Sequence, residues 1–287
     1  MIHTSALTNA SRPSYLIPLI PVMLLFLWYW CTYCSLIYQE TGVEYDNLGN
    51  IQHLPIVNRF ALLRQWLELC DSEHNCPKDA PEVSPTRVIF VGSTSNNLQL
   101  QLSAYQRHPV EYIALSHCWG KPSPEEKERF CTTWKNYNER LKGFSYHNLP
   151  KLFQDAVTVT RELKKQYLWI DALCIIQDDL QDWENEGKEM ETVFASAYCT
   201  IAPSSSSHWN EGFLKRPQAP SQSEGNTSTR KQSNDFHQLV DEGPLNSRAW
   251  VLQEQALSHC TIFFTTKQTY WECGMGVHCK NFTTLKW

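Results

Sequence analysis

Apolar residues recur at helical spacing in residues 58–70 (NRFALLRQWLELC), where Phe60, Leu63, Leu67 and Cys70 fall on one stripe. A loop with Pro77, Pro81 and Pro85 follows. Residues 86–91 (TRVIFV) and 98–102 (LQLQL) then read as a hairpin turning at Asn96 and Asn97. Residues 112–120 (YIALSHCWG) begin as a short strand and must stop at Gly120 and the Lys-Pro after it. The polar stretch 123–142 predicts a solvated helix.

The strongest helical period lies in residues 148–165 (NLPKLFQDAVTVTRELKK). It has Asn148 as cap, Pro150 in the first turn, and Lys164 and Lys165 at the C-terminal end of the dipole. A buried-type strand, 167–171 (YLWID), runs out of it. Residues 182–197 predict a second helix with Trp183, Met190, Val193, Phe194 and Ala197 inward, and 198–202 (YCTIA) a further strand. Periodicity is then lost over about 204–243, which reads as a low-complexity surface insertion. It returns in a helix over 247–257 and a strand pair over 261–265 and 268–272. Alternating strands and helices predict an α/β fold with a central, mainly parallel sheet flanked by helices.

An apolar stretch precedes all of this. No side chain between residues 13 and 39 is charged, and 16–37 (LIPLIPVMLLFLWYWCTYCSLI) is long enough for a bilayer-spanning helix of about 20 residues. The expected organisation is a tail (1–14), a hydrophobic N-terminal helix (15–38), a lead-in helix and Pro-rich loop (39–85), the main domain (86–273) and a C-terminal tail (274–287). A membrane tether, an interfacial anchor and a mispredicted start are alternative readings of residues 16–37.

Composition narrows the function classes. Hydrophobic residues make up 42% and charged residues 19%, with 11 Trp and 12 Tyr, which suits a packed core. A net charge of −5 offers no basic footprint, so no nucleic-acid partner is expected. Eleven Cys at irregular spacing, several inside apolar runs, indicate reduced thiols. The expected location is intracellular, cytoplasmic or membrane-tethered. Cys70, His74 and Cys76 are compact enough to ligate a metal such as zinc, with His278 and Cys279 able to complete four ligands. A cluster of reduced thiols in a loop is the plainer alternative.

Polar residues at strand ends line crevices in open α/β sheets. Ser116, His117, Asp171, Gln177 and Asp178 hold such positions, and Arg248, Gln253 and Glu254 come from a helix able to close over them. The structural alternative makes Trp119, Trp169, Trp183 and Trp250 core anchors and Asp171 with Arg248 a buried pair. Ser116 and His117 are neighbours at a strand end and point to opposite faces, and no Gly-x-Ser-x-Gly elbow exists, which disfavours a Ser–His hydrolase.

Three blocks carry a family resemblance: residues 112–120, residues 149–178 continuing to Asp182, Trp183 and Met190, and residues 248–254 (RAWVLQE) with Leu257 and Ser258. Together with the lead-in around Trp66, Cys70, His74 and Cys76, they resemble the heterokaryon-incompatibility (HET) domain of filamentous fungi. Ala172 stands where the family often has Ser, and Phe130-Cys-Thr-Thr133 replaces a Leu-Lys-Thr-Thr-like stretch. The resemblance implies an allorecognition module that triggers programmed cell death on non-self recognition. It would act through protein partners of an incompatibility pathway and through self-association. It also implies a distant relation to TIR domains, some of which consume NAD with a carboxylate. Glu254, Asp171 and Glu186 are the candidate catalytic carboxylates on that alternative. Ser116, His117, Trp119, Gly120, Gln177, Asp178, Arg248, Trp250 and Gln253 are the candidate binding residues.

Overall fold

The computed structural model describes residues 56–74, 76, 84–105, 109–215, 236–247, 251–279 and 284–285. The hydrophobic segment 16–37 lies outside them, as do Arg248 and Trp250 and the side chain of Gln253. No helix among the described residues is long and apolar enough to cross a membrane.

Helix α1 (Ile56–Ser72) buries the expected stripe of Phe60, Leu63, Leu67 and Cys70, and also Trp66. The hairpin pairs β1 (Arg87–Phe90) with β2 (Asn97–Leu102), Arg87 opposite Leu102. Strand β3 (Tyr112–Leu115) is buried along its whole length. The stretch read as one solvated helix is two, α2 (Pro124–Phe130) and α3 (Tyr137–Lys142). A capping box of Ser123 and Glu126 starts α2, and Phe130 and Arg140 are drawn inward.

After the two-residue strand β4 (Phe144–Ser145) comes α4 (Lys151–Glu162), which buries Leu152, Phe153, Ala156, Val157 and Val159. Its N-cap is Pro150, not Asn148, which lies in a preceding 3-10 turn begun by Ser145. Its end also differs from expectation. Lys164 is not in the last turn but adopts φ 62°, and the Lys165 amide reaches back to the Thr160 carbonyl at 3.0 Å. Strand β5 (Tyr167–Trp169), the short helix α5 (Asp171–Cys174), α6 (Leu180–Ser196) and β6 (Cys199–Ala202) follow. Asp179 caps α6 by accepting from the amides of Gln181 and Asp182.

The segment after β6 departs most from expectation. Trp209 and Phe213 are buried in the main core, and Phe236 and Val240 in a second cluster. Asp155, itself 2% exposed, accepts from the amides of Phe213 (2.8 Å) and Leu214 (3.0 Å) and from Lys151 (2.5 Å). Helix α7 (Val251–Leu257) leads into β7 (Cys260–Phe264), β8 (Thr269–Cys273), β9 (Gly276–Cys279) and β10 (Thr284–Leu285). The last two were unforeseen, because the chain after residue 273 reads as a tail.

Among the described residues ten strands form one sheet, in the order β10-β9-β8-β7-β6-β3-β5-β1-β2-β4. Only the central pairings, β5 with β3, β3 with β6 and β6 with β7, are parallel. The expected mainly parallel sheet is therefore mixed, with a parallel centre and antiparallel wings supplied by hairpins. Parallel pairing needs a long crossover, which only the helical middle of the chain provides.

The β8 wing carries Glu272, part-buried opposite Thr261 and Val277. Desolvation, and after it the charge of Asp241, lifts its carboxyl from 4.5 to about 7. The folded chain then holds a proton that the unfolded chain has lost, so Glu272 makes stability fall as pH rises from about 4.5 to about 7. Glu272→Gln is expected to remove that contribution and gain about 1–3 kcal/mol over wild type at pH 8, with little difference at pH 4.5. Urea melts of both proteins across this range measure it; equal gains at both ends would refute the assignment.

Candidate functional site

The chain leaves β3 for β5 on one side and returns to β6 on the other, so the connections diverge between β3 and β6. Divergence of this kind leaves a crevice at the carboxyl ends of parallel strands. A cleft of about 830 Å³ lies there, lined by the segments after β3, β5 and β6 and by α6 and α7.

The β3 segment shapes the floor. The Ser116 amide extends the pairing with β6 through the Ile201 carbonyl at 3.0 Å. Its hydroxyl then donates to the Glu254 carboxylate, and both residues are buried. Helix α7 is held in place beneath by Ser258, whose hydroxyl donates to the Glu254 carbonyl (2.5 Å) and meets the Thr200 hydroxyl of β6 (2.7 Å). His117 points elsewhere, edge-on to Phe153 at 5.0 Å and with Nδ1 3.7 Å from Asp171 Oδ1. Ser116 and His117 thus have different partners, as alternation at a strand end requires. Gly120 closes the segment at φ 70°, and a Cβ there would lie 2.3 Å from His208 Cδ2 and 3.1 Å from the Ser207 carbonyl. Both the left-handed backbone and the close passage of the β6 segment demand glycine.

Asp171 organises the wall after β5. One carboxylate oxygen accepts from Trp119 Nε1 (2.8 Å) and the other from the Ala172 amide (2.6 Å). Trp119 is thereby fixed against Trp209, ring centroids 5.7 Å apart. Gln177 donates to the carbonyls of Asp171 (3.0 Å) and Ile175 (3.2 Å), holding this turn. The turn is also stitched to Thr132, whose hydroxyl donates to the Leu173 carbonyl at 2.6 Å and whose carbonyl accepts from the Gln177 amide at 2.8 Å. Asp178 accepts from the Trp134 amide (2.9 Å) and lines a smaller neighbouring hollow of about 300 Å³.

Of the candidate carboxylates, Glu254 and Asp171 line the cleft. Glu186 does not: it joins Asp182 around Arg87, 3.2 Å from the guanidinium, and burial raises its carboxyl. Trp183, expected inside, is 50% exposed on the cleft rim. Lys188 and Ser207 line the cleft as well and went unnoticed in the sequence, because a lone Lys on a helix and one Ser among four carry no pattern.

A second cluster lies at the end of α1. Cys70, His74, Cys76 and Cys273 place their ligand atoms within 4.8 Å of one another, an arrangement that could hold a metal ion. Cys70 Sγ is 3.5 Å from Cys76 Sγ, and Cys273 Sγ is 3.3 Å from His74 Nδ1. The fourth member is therefore Cys273, not His278 or Cys279. His278 instead stacks on His74 (5.8 Å) and Trp271 (4.8 Å), and burial, then His74, pushes its imidazole down to about 4. Cys279 faces Tyr270 in the β8–β9 register. Cys273 sits 199 residues from His74, so no local spacing could reveal it.

Comparison with known proteins gives one family. Residues 112–254 match the family described as "Heterokaryon incompatibility protein (HET)". No curated protein and no solved structure matches the chain.

Proposed function

Residues 112–254 make this chain a member of the heterokaryon-incompatibility (HET) family, and on that premise we propose that it is an effector of incompatibility whose cleft cleaves a dinucleotide of the NAD class. The observation that carries the reading is Glu254, a carboxylate 5% exposed that nevertheless lines a Trp-rimmed cleft at the divergence of a parallel sheet. Burying a carboxylate is costly; Asp155 and Glu186 are as buried but serve the packing away from the cleft, whereas Glu254 faces it, where a reaction can use the group. Trp119 and Trp183 offer flat faces for a base or nicotinamide ring, and Lys188 offers a cation for a phosphate.

The chemistry balances without a further cofactor. The bond between ribose C1′ and the nicotinamide nitrogen breaks, and its electron pair leaves with the nitrogen, which loses its positive charge. The oxocarbenium-like centre at C1′ is stabilised by the Glu254 carboxylate. Water adds at C1′ and gives up its proton to the Glu254 carboxylate, which returns it to solvent, yielding ADP-ribose and nicotinamide. Incubation of the purified full chain with NAD, followed by chromatography, is expected to show both products. Intact NAD at high protein concentration sinks the proposal.

A second reading has its own support. Trp134, Leu180 and Trp183 are 54%, 73% and 50% exposed, large apolar side chains that suit a protein partner or a second copy of the chain. Trp134 is held for this by Asp179, which accepts from its Nε1 at 3.0 Å. On this reading the domain kills by contact. Overexpression of Glu254→Gln distinguishes the two: death retained favours contact, death lost favours cleavage.

A further inference from the structure

We propose that Cys70, His74, Cys76 and Cys273 bind a structural zinc ion that staples the end of α1 to the β8–β9 hairpin. Three thiols and one imidazole, with no carboxylate among them, form a soft donor set that selects zinc over magnesium or calcium. Four protein donors leave no open position, which marks the site as structural. Metal–donor lengths of about 2.3 Å for sulfur and about 2.0 Å for nitrogen put neighbouring donors of a tetrahedral site roughly 3.5–3.8 Å apart. The sulfur–sulfur separation of 3.5 Å and the sulfur–nitrogen separation of 3.3 Å lie within about 0.3 Å of these, and the 4.8 Å bound on the rest asks for a contraction of at most about 1.3 Å.

The surroundings are those of a ligand shell. The hairpin turn directs an amide at a sulfur: Met275 N–H lies 3.5 Å from Cys273 Sγ. Amides of this kind stabilise thiolates and fix their direction. The His74 ring packs against both Trp271 (5.5 Å) and His278 (5.8 Å), which themselves meet at 4.8 Å, with Nδ1 turned to Cys273, so its ligating nitrogen is already chosen. The three sulfurs come from two distant parts of the chain, and a stabilising crosslink between the lead-in helix and the antiparallel wing of the sheet follows from their joint coordination.

The test uses the full chain purified under reducing conditions without chelator. Elemental analysis is expected to give about one zinc per chain, and cobalt exchange the intense visible bands of a tetrahedral thiolate site. Cys273→Ser should lose the ion, whereas Cys279→Ser, outside the cluster, should keep it. Since Cys273→Ser could misfold, stripping wild type with a strong chelator gives an independent readout. The melting temperature is expected to fall by roughly 10 °C and to recover on adding zinc. A folded, reduced chain that neither carries zinc nor takes up cobalt overturns the proposal. So does a Cys70–Cys76 disulfide found by non-reducing peptide mass spectrometry.

Discussion

Replacement of Glu254 by Gln is expected to lower the rate of the proposed NAD cleavage by about 10²–10⁴-fold while moving the melting temperature by no more than about 3 °C. Gln has nearly the same volume, and its amide oxygen can still accept from the Ser116 hydroxyl, so the floor of the cleft keeps its shape. What it lacks is charge. A neutral amide can neither stabilise a developing cation at C1′ nor take a proton from water. The loss should fall on kcat with KM little changed, since the carboxylate acts on the transition state and not on the bound ground state. Asp171→Asn provides the contrast: its single amide oxygen can accept from Trp119 Nε1 or from the Ala172 amide but not from both, so the wall loosens and any loss should fall mainly on KM. Wild-type turnover by Glu254→Gln would remove the carboxylate from the mechanism.

The second large effect concerns stability. Trp209→Ala is expected to cost about 3–5 kcal/mol and roughly 10 °C in melting temperature, measured by thermal and urea melts. The indole is completely buried and meets Trp119, Phe130 and Phe153 at 5.7, 5.7 and 6.1 Å. Its carbonyl accepts from the Leu152 amide at 2.9 Å, which ties the segment after β6 to the first turn of α4. Removing the ring leaves Trp119 without backing, so ligand affinity at the cleft should drop with stability. Trp209→Phe should restore most of both. A mutant that melts within 2 °C of wild type, equivalent to about 1 kcal/mol or less, would show that the cavity collapses at no cost.

The elements legible in the sequence were those whose burial repeats. The 3.6-residue stripe of α1 and α4 and the short apolar runs of β3, β5, β6 and β7 each carry several residues facing the same core. The segment after β6 has no such repeat. It is held by two isolated aromatics, Trp209 and Phe213, and by a carboxylate from another element, Asp155, which has no sequence signature. Glu186 sits where an apolar residue belongs on α6 and is tolerated only because Arg87 arrives from β1. Trp183 has helical spacing toward the core, yet the start of α6 borders the open cleft, so its ring is half-exposed. Within the site, Ser116, His117, Asp171 and Gln177 stood out as polar ends of apolar strands. Their partners did not, since Ser116 and Glu254 are 138 residues apart.

The stacking of Trp66 on Trp271, rings 5.8 Å apart and 11° from parallel, bears on how the chain is made. Helix α1 is synthesised before the sheet, and the Trp271 ring arrives roughly two hundred residues later. Until β8 leaves the ribosome Trp66 lacks its stacking partner, and until β7 does β6 offers an unpaired parallel edge. A fragment ending at Glu254, where the family match stops, would be caught in that half-built condition. Such pieces are expected to occupy chaperones or aggregate, so expression trials should carry the chain through β9.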